Sequence, residues 1–547
     1  MIKRSHYLIW CRSLIVIILI LGVFFRFVNL ERKPYWHDEV FTSFWLAGYT
    51  SVEVEASLAN GAVISVADLQ RYQHLDSQRG LVDTVKAIAT EDQQHPPLYY
   101  AIARLWVGWH GLNPLQVRLF SALISLLVFP PVYWLCLELF NSAQVGWMAI
   151  ILLAVSPFHI LYAQEARQYS LWTVTILLAS TALLRAMRLK TKLAWLTYAA
   201  GVSLLLYSHL LSFLIVISHS IYVAVINRWR MSKDAIAFFM ALSLGILTFA
   251  PWLVLIDKIK ASSWTGETIS FFTLFQRWIF NINMVFFDPQ VNYKEQLFRI
   301  RSNIDPVGLV SLGHPFSFVV IPIFILVCYS IYFLIRHTSR QVWLFVIALI
   351  GSTGLLLGVP DLIVGGQRST IARFQIPCLL GIHLAVAYLL TIKVREELRG
   401  VTTETGFMGK KSGFYYIRGK LWQIGAIAII SLGILSCTIS SQSETWWNKY
   451  TNYYDSQVAE IINQSPSPLL ISNSTTRTTA LSYLLNPQIK LLLVRGENPA
   501  PIDIPNNFSN VFLYQPSSEF LSQFEQNIKY KVAGEIEAGK LWRIIKR

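Results

Sequence analysis

The sequence predicts an all-α polytopic membrane protein with a small α/β domain at its C-terminal end. Three observations carry that reading. Of 547 residues, 54% are hydrophobic and only 14% are charged, against about 25% charged in an ordinary soluble chain. Long apolar runs recur along most of the length, with Lys and Arg gathered in the short linkers between them. From residue 441 onward these runs give way to short β-type runs bounded by Pro, Gly, Asn and Ser.

The formal charge of +15 would suit a nucleic-acid partner if it formed a patch. Basic residues placed between apolar runs are topology signals instead, so no nucleic acid is expected. The 18 Trp residues suit interfacial belts. Cys11, Cys136, Cys328, Cys378 and Cys437 lie in or beside apolar runs without metal-type spacing. They read as small buried hydrophobes.

The first span is expected at about 7–28, retained rather than cleaved, because it lacks a small-residue processing pattern. Lys3, Arg4 and Arg12 precede or open it, which puts the N-terminus in the cytoplasm. A long, acid-rich first outer loop follows over 29–95, with short interfacial helices expected at 40–49 and 81–90. The run His95-Pro96-Pro97-Leu98-Tyr99-Tyr100 then opens an apolar stretch of about 13 residues that contains Arg104. A span needs about 20 residues, so this stretch is expected to be half-inserted, with its prolines in the first turn.

Parity tests that choice. With the half helix not crossing, spans fall at 115–139, 145–162, 169–187, 194–207, 210–226, 235–256, 316–335, 342–359, 374–392 and 421–440, about eleven in all. The clusters at Arg185–Lys192, Arg228–Lys233, Arg336–Arg340 and Lys393–Lys420 then all lie inside. A second long outer loop occupies 257–314 and holds an aromatic interfacial segment at 271–287. In the tail, strands are expected at 468–472, 490–494 and 510–514, helices at 474–485 and 518–528, and a closing hairpin from 529–533 and 540–545. The domains are therefore 1–440, embedded in the membrane, and 441–547, an outer α/β domain.

Under this topology three polar features share the outer face: His37-Asp38-Glu39, Gln94-His95, and Gln164-Glu165-Ala166-Arg167-Gln168-Tyr169. His209 and the stretch from Gln367 to Arg373 join them. Singly, each has an ordinary explanation. Acids favour a helix's first turn, a loop ion pair carries little energy, and arginines snorkel. Together they place acids, His and Arg at one membrane face, as transfer of a sugar from a lipid-linked phosphate requires. A carboxylate takes the acceptor's proton, and arginine forks absorb the charge of the leaving phosphate. A divalent metal would have Asp38, Glu39 and His209 as candidate ligands, although no metal-type spacing supports one.

These motifs carry a resemblance. Trp36-His37-Asp38-Glu39 after the first span, His95-Pro96-Pro97-Leu98-Tyr99-Tyr100 opening a helix, and Gln164-Glu165-Ala166-Arg167-Gln168-Tyr169-Ser170-Leu171 after the third span resemble the GT-C superfamily. The nearest branch is that of glycosyltransferase family 39, protein O-mannosyltransferase-like and aminoarabinose-transferase-like enzymes. A weaker echo lies in Ala372-Arg373-Phe374-Gln375-Ile376-Pro377. The resemblance implies a GT-C transmembrane domain and an inverting hexosyl or pentosyl transferase in the inner membrane. It implies a polyprenyl-phosphate sugar donor, a lipid, glycan or protein acceptor, and an active site on the extracytoplasmic face. Asp38 would be the catalytic carboxylate and Glu39 its partner. His95, Arg167 and Arg373 would bind donor phosphate or lipid, and His37, Glu165 and Tyr169 would contact substrate. The chain departs from the aminoarabinose branch at Gln94-His95-Pro96, where that branch has Glu-Lys-Pro. Two rivals remain: a multi-pass transporter or lipid flippase, which would need polar residues deep in spans and inverted repeats, and a glycan ligase with a polyprenyl-diphosphate donor.

Overall fold

The computed structural model describes residues 2–256, 263–288, 317–404, 420–497, 502, 504–536 and 539–547. Much of the expected loop 257–314 and the bases Lys410, Lys411 and Arg418 lie outside the described residues. Each expected span is helical. Seven helical stretches are long and apolar enough to cross a membrane, and the pair Ala143–Ala154 and Pro157–Ala163, bent by 62°, forms an eighth if taken as one. The expectation of about eleven also counts the helix Ile2–Phe27, whose apolar part is the shorter Ser13–Phe27, and the shorter helices Lys192–Ser208 and Ser212–Ile226.

Breaks in the bundle have local causes. Pro157 stands at the first turn of the second half of the bent pair, where a missing N–H costs nothing. The exposed carbonyls at the end of the first half are met by Arg26, which donates to Leu153 and Ala154 at 3.1 and 2.8 Å. The half helix is Leu98–His110. At 1.5 Å per residue it is about 20 Å long, short of a bilayer's apolar core. Its buried face is Tyr99, Tyr100, Ala103 and Val107, the spacing of one helical stripe.

The first loop is built from helices His37–Ala47, Ser51–Leu58 and Leu81–Glu91. Two of these match the short helices expected there. It also supplies a strand that sequence periodicity did not reveal. This strand, β1 (Asn60–Ser65), joins a sheet otherwise made by the tail: β2 (Pro468–Ser472), β3 (Lys490–Val494), β4 (Asn510–Tyr514), β5 (Tyr530–Gly534) and β6 (Leu541–Lys546). The order is β1-β3-β2-β4-β6-β5. Strands β3, β2 and β4 run parallel, and β1 pairs antiparallel to β3 with Val63 opposite Leu492.

The two faces of this sheet have different partners, because successive residues of a strand point to opposite sides. Leu469, Ile471, Leu492 and Leu513 pack with Phe520 and Phe524 in a local core. Leu470, Leu491, Leu493 and Phe512 belong to one continuous core with Tyr35, Val40, Phe44 and the bundle. The tail is therefore packed onto the first loop rather than tethered beside it. A chain ended after residue 442 is expected to expose residues 29–95 to protease in detergent, with the full chain protected. Equal protection would show that the loop folds without the tail.

Candidate functional site

The stretch Trp36-His37-Asp38-Glu39 forms the start of helix His37–Ala47. Trp36 is the N-cap, in extended conformation, and its N–H is accepted by the Glu39 carboxylate at 3.3 Å. Gly48, at φ 88°, ends the helix. Consecutive helical residues are turned about 100° apart, so the two acids face different surroundings.

Glu39 points into the protein and is fully buried. Arg118 grips both of its oxygens at 2.8 and 2.7 Å, Lys449 donates at 2.9 Å and the Ala166 N–H at 3.0 Å. Burial alone would push this carboxyl up, but Arg118 and Lys449 outweigh it and hold the group at about 2. The remaining Arg118 donors go to the carbonyls of Leu30, Lys33 and Pro34. Glu39 therefore ties the first loop, the helix Pro114–Leu126 and the tail together, and all its charge is spent on that.

Asp38 is only partly buried. Its side chain is 17% exposed, with the His37 Nε2 at 3.1 Å from one oxygen and the Arg373 Nη2 at 3.7 Å from the other. Burial raises its pKa, but His37, Arg373, Arg167 and His95 outweigh it and hold the carboxyl below its ordinary value. It is an ionised base among cationic and imidazole groups. Arg373 lies within 5.7 to 5.9 Å of the Trp36, Phe374 and Tyr450 rings. Aromatic faces satisfy its charge and leave its N–H donors without hydrogen-bond partners among the described residues.

The other expected residues gather nearby in different ways. Arg167 donates to the Asp38 carbonyl at 3.1 Å and to Thr42 at 3.3 Å, and it meets the His95 Nε2 at 2.9 Å. It clamps the helix start. His95 also meets Asp92 at 3.3 Å and Gln168 at 2.7 Å. Burial and the Arg167 charge lower its pKa. Glu165 is buried, takes one hydrogen bond from Asn448 at 3.3 Å, and has its other oxygen unpartnered. Burial pushes its carboxyl up to about 7. Tyr169 is buried with its ring 5.2 Å from Tyr162.

His209 stacks on Trp172 at 4.1 Å, and its Nδ1 accepts the Leu211 N–H at 3.1 Å. The three candidate metal ligands do not form a set. Glu39 is saturated, His209 is stacked, and among the described residues no group of three His, Cys, Asp or Glu side chains could hold an ion.

Sequence reading missed Arg118 and the 446–452 segment. Arg118 was visible as a charge inside an expected span, which is itself a functional signal. The segment Trp447–Asn452 carries no such signal. Its placement depends on a turn at Tyr450, at φ 41°, which brings Asn448, Lys449 and Thr451 against Glu165, Glu39 and His37.

Residues 94–255 match the family model described as dolichyl-phosphate-mannose-protein mannosyltransferase. The solved structure of ArnT from Cupriavidus metallidurans bound to undecaprenyl phosphate aligns over 97% of this chain and 98% of its own, with 11% identity and a TM-score of 0.50. The archaeal oligosaccharyltransferase AglB from Archaeoglobus fulgidus, in complex with an inhibitory peptide and a dolichol-phosphate, aligns over 92% of this chain and 69% of its own, with 12% identity and a TM-score of 0.48. No curated protein sequence matches the chain. The fold is of the GT-C type, and the resemblance to the mannosyltransferase-like and aminoarabinose-transferase-like branch stands.

Two stability outcomes follow from this geometry. Glu39→Ala leaves Arg118 and Lys449 buried without their counter-ion, a loss of about 3–5 kcal/mol. It should appear as a large fall in melting temperature in detergent, and a wild-type value would show the cluster to be dispensable. The folded pKa of Glu165, about 7, lies above the ordinary carboxyl value of about 4.3. Stability is thus full below the ordinary value and is lost as pH rises through about 7. Glu165→Gln should raise the melting temperature on the alkaline side of this window and change it little on the acid side.

Proposed function

We propose that this protein is a membrane glycosyltransferase that moves a sugar from a polyprenyl-phosphate donor to an acceptor hydroxyl, with Asp38 as the catalytic carboxylate. The observation that carries this reading is the contrast between two adjacent acids. Glu39 is saturated by buried cations, whereas Asp38 is ionised, partly exposed and beside an arginine with unspent donors.

In the proposed reaction Asp38 takes the proton of the acceptor hydroxyl as that oxygen attacks the anomeric carbon. The bond from that carbon to the phosphate oxygen breaks, and its electron pair stays on the phosphate. Arg373 meets the developing charge with its planar fork. A single displacement of this kind inverts the anomeric centre. Arg167 and His95 hold the geometry and complete the positive field around the leaving phosphate. Glu165 and Tyr169 border the substrate, with Glu39 maintaining the helix start on which Asp38 sits. The active site and the tail face the extracytoplasmic side of the inner membrane, where a long lipid donor enters sideways beside the half helix Leu98–His110.

The rival reading as a transporter or flippase draws less support. Arg26 and Arg118, two buried arginines associated with the bundle, are spent on backbone carbonyls and on Glu39 and do not line a path.

Asp38→Asn should abolish transfer from a polyprenyl-phosphate sugar in a membrane assay while the melting temperature stays near wild type. Turnover close to wild type would remove Asp38 from the mechanism. Arg373→Gln should lower kcat/KM by about 100-fold in the same assay, and an unchanged value would take the phosphate contact elsewhere.

A further inference from the structure

The tail reaches His37 through a line of hydrogen bonds, and the His37 Nε2 stands 3.1 Å from an Asp38 oxygen. The line starts at Tyr514, on β4, which donates to Asp455 at 2.7 Å. The other Asp455 oxygen accepts the Asn452 amide N–H at 2.6 Å. The His37 backbone N–H fixes which way the Asn452 amide points, because a backbone N–H can only donate. The Asn452 oxygen is thereby turned toward the His37 backbone N–H, which it accepts at 3.0 Å. The neighbouring Thr451 hydroxyl lies 3.1 Å from the His37 Nδ1 and 3.2 Å from the Asn452 oxygen. Gln515 holds the Thr451 carbonyl at 2.7 Å.

One hydroxyl proton serves two acceptors here, and the surrounding charges select between them. If Thr451 gave its proton to Asn452, the His37 Nδ1 would have to carry the ring proton. The bare Nε2 lone pair would then face the Asp38 carboxylate at 3.1 Å, lone pair against negative charge. If Thr451 donates to Nδ1, the ring proton sits on Nε2, the nitrogen beside Asp38. The other charged groups facing His37 are Arg373, Arg167 and Arg477. All are cations, so they disfavour the doubly protonated ring. The favoured form is a neutral imidazole whose protonated Nε2 lies beside one Asp38 oxygen, with the other oxygen toward Arg373.

We propose that Thr451 is a positioning residue for Asp38: its hydroxyl proton on the His37 Nδ1 acts together with the Asp38 charge to hold the ring proton on Nε2 and so to orient the carboxylate. The functional consequence rests on Asp38 being the base of the reaction proposed above, whereas the tautomer itself does not. A C-terminal segment that sequence analysis left outside the site would thus set the geometry of its central group.

The test uses the full chain in lipid nanodiscs with ¹⁵N-labelled histidine, the His37 signal being identified by its loss in His37→Asn. Wild-type His37 is expected to show an unprotonated Nδ1 and a protonated Nε2. Thr451→Val should convert that signature to mixed tautomers, and Thr451→Ser should restore it. A wild-type signature in Thr451→Val would overturn the proposal. With polyprenyl-phosphate mannose, glucose and arabinose as donors and envelope lipid extract as acceptor, Thr451→Val should lower kcat by about tenfold or more with KM unchanged, since a wrong imidazole tautomer is costly. Rescue by Ser supports the role, and an unchanged kcat overturns it. Asp38→Asn run alongside separates the two ideas. Its retained turnover would remove the assigned base while leaving the tautomer comparison to stand or fall alone.

Discussion

The structure depends on one buried charge cluster. Glu39, Arg118 and Lys449 come from the first loop, a bundle helix and the tail, with Glu39 and Lys449 separated by 410 residues. Taking such charges out of water costs several kcal/mol each. That cost is offset only by close pairing, and here both Glu39 oxygens and all the Arg118 donors are met, so the fit of the three elements is tightly specified. Arg118 completes the arrangement by holding three carbonyls of the approach to the helix, those of Leu30, Lys33 and Pro34. The result is a rigid platform, and Asp38 stands one residue along it.

Two adjacent carboxylates end up with different work because a helix turns between them. Glu39 faces inward and becomes part of the framework. Asp38 stays partly exposed beside Arg373 and keeps its charge. Glu165, in the same neighbourhood, lacks enough positive charge at hand, and burial carries it to about 7. Three acids in one site therefore occupy three electrostatic regimes, separated by what each one touches.

Much of this was legible in the sequence where the signal is local. Apolar length marked the helices, and the 13-residue stretch after His95 was short enough to be read as non-crossing. The tail strands at Pro468–Ser472, Lys490–Val494 and Asn510–Tyr514 appear where their turn residues bound them. Asp38, His37, His95, Glu165, Arg167 and Arg373 were each visible as polar residues at ends of apolar runs. What stayed hidden is long-range pairing. The exposed, Gly-containing β1 has no alternating pattern and becomes a strand only because β3 offers it an edge. Lys449 looks like any base in a polar tail until Tyr450 turns the chain. The division of labour between Asp38 and Glu39 also needs the helix phase and Arg118, and adjacency alone does not give it.

The pairing of β1 with β3 has a consequence for how the molecule is made. A strand from near the start of the chain pairs in the sheet with one from near the end. Ribosomal synthesis delivers these partners in order, so the early segment must wait, uncovered, while the whole bundle is inserted. Closing so long a loop is slow. Until it closes, Asp38 sits on an unfinished support, and a partly made chain has no completed centre.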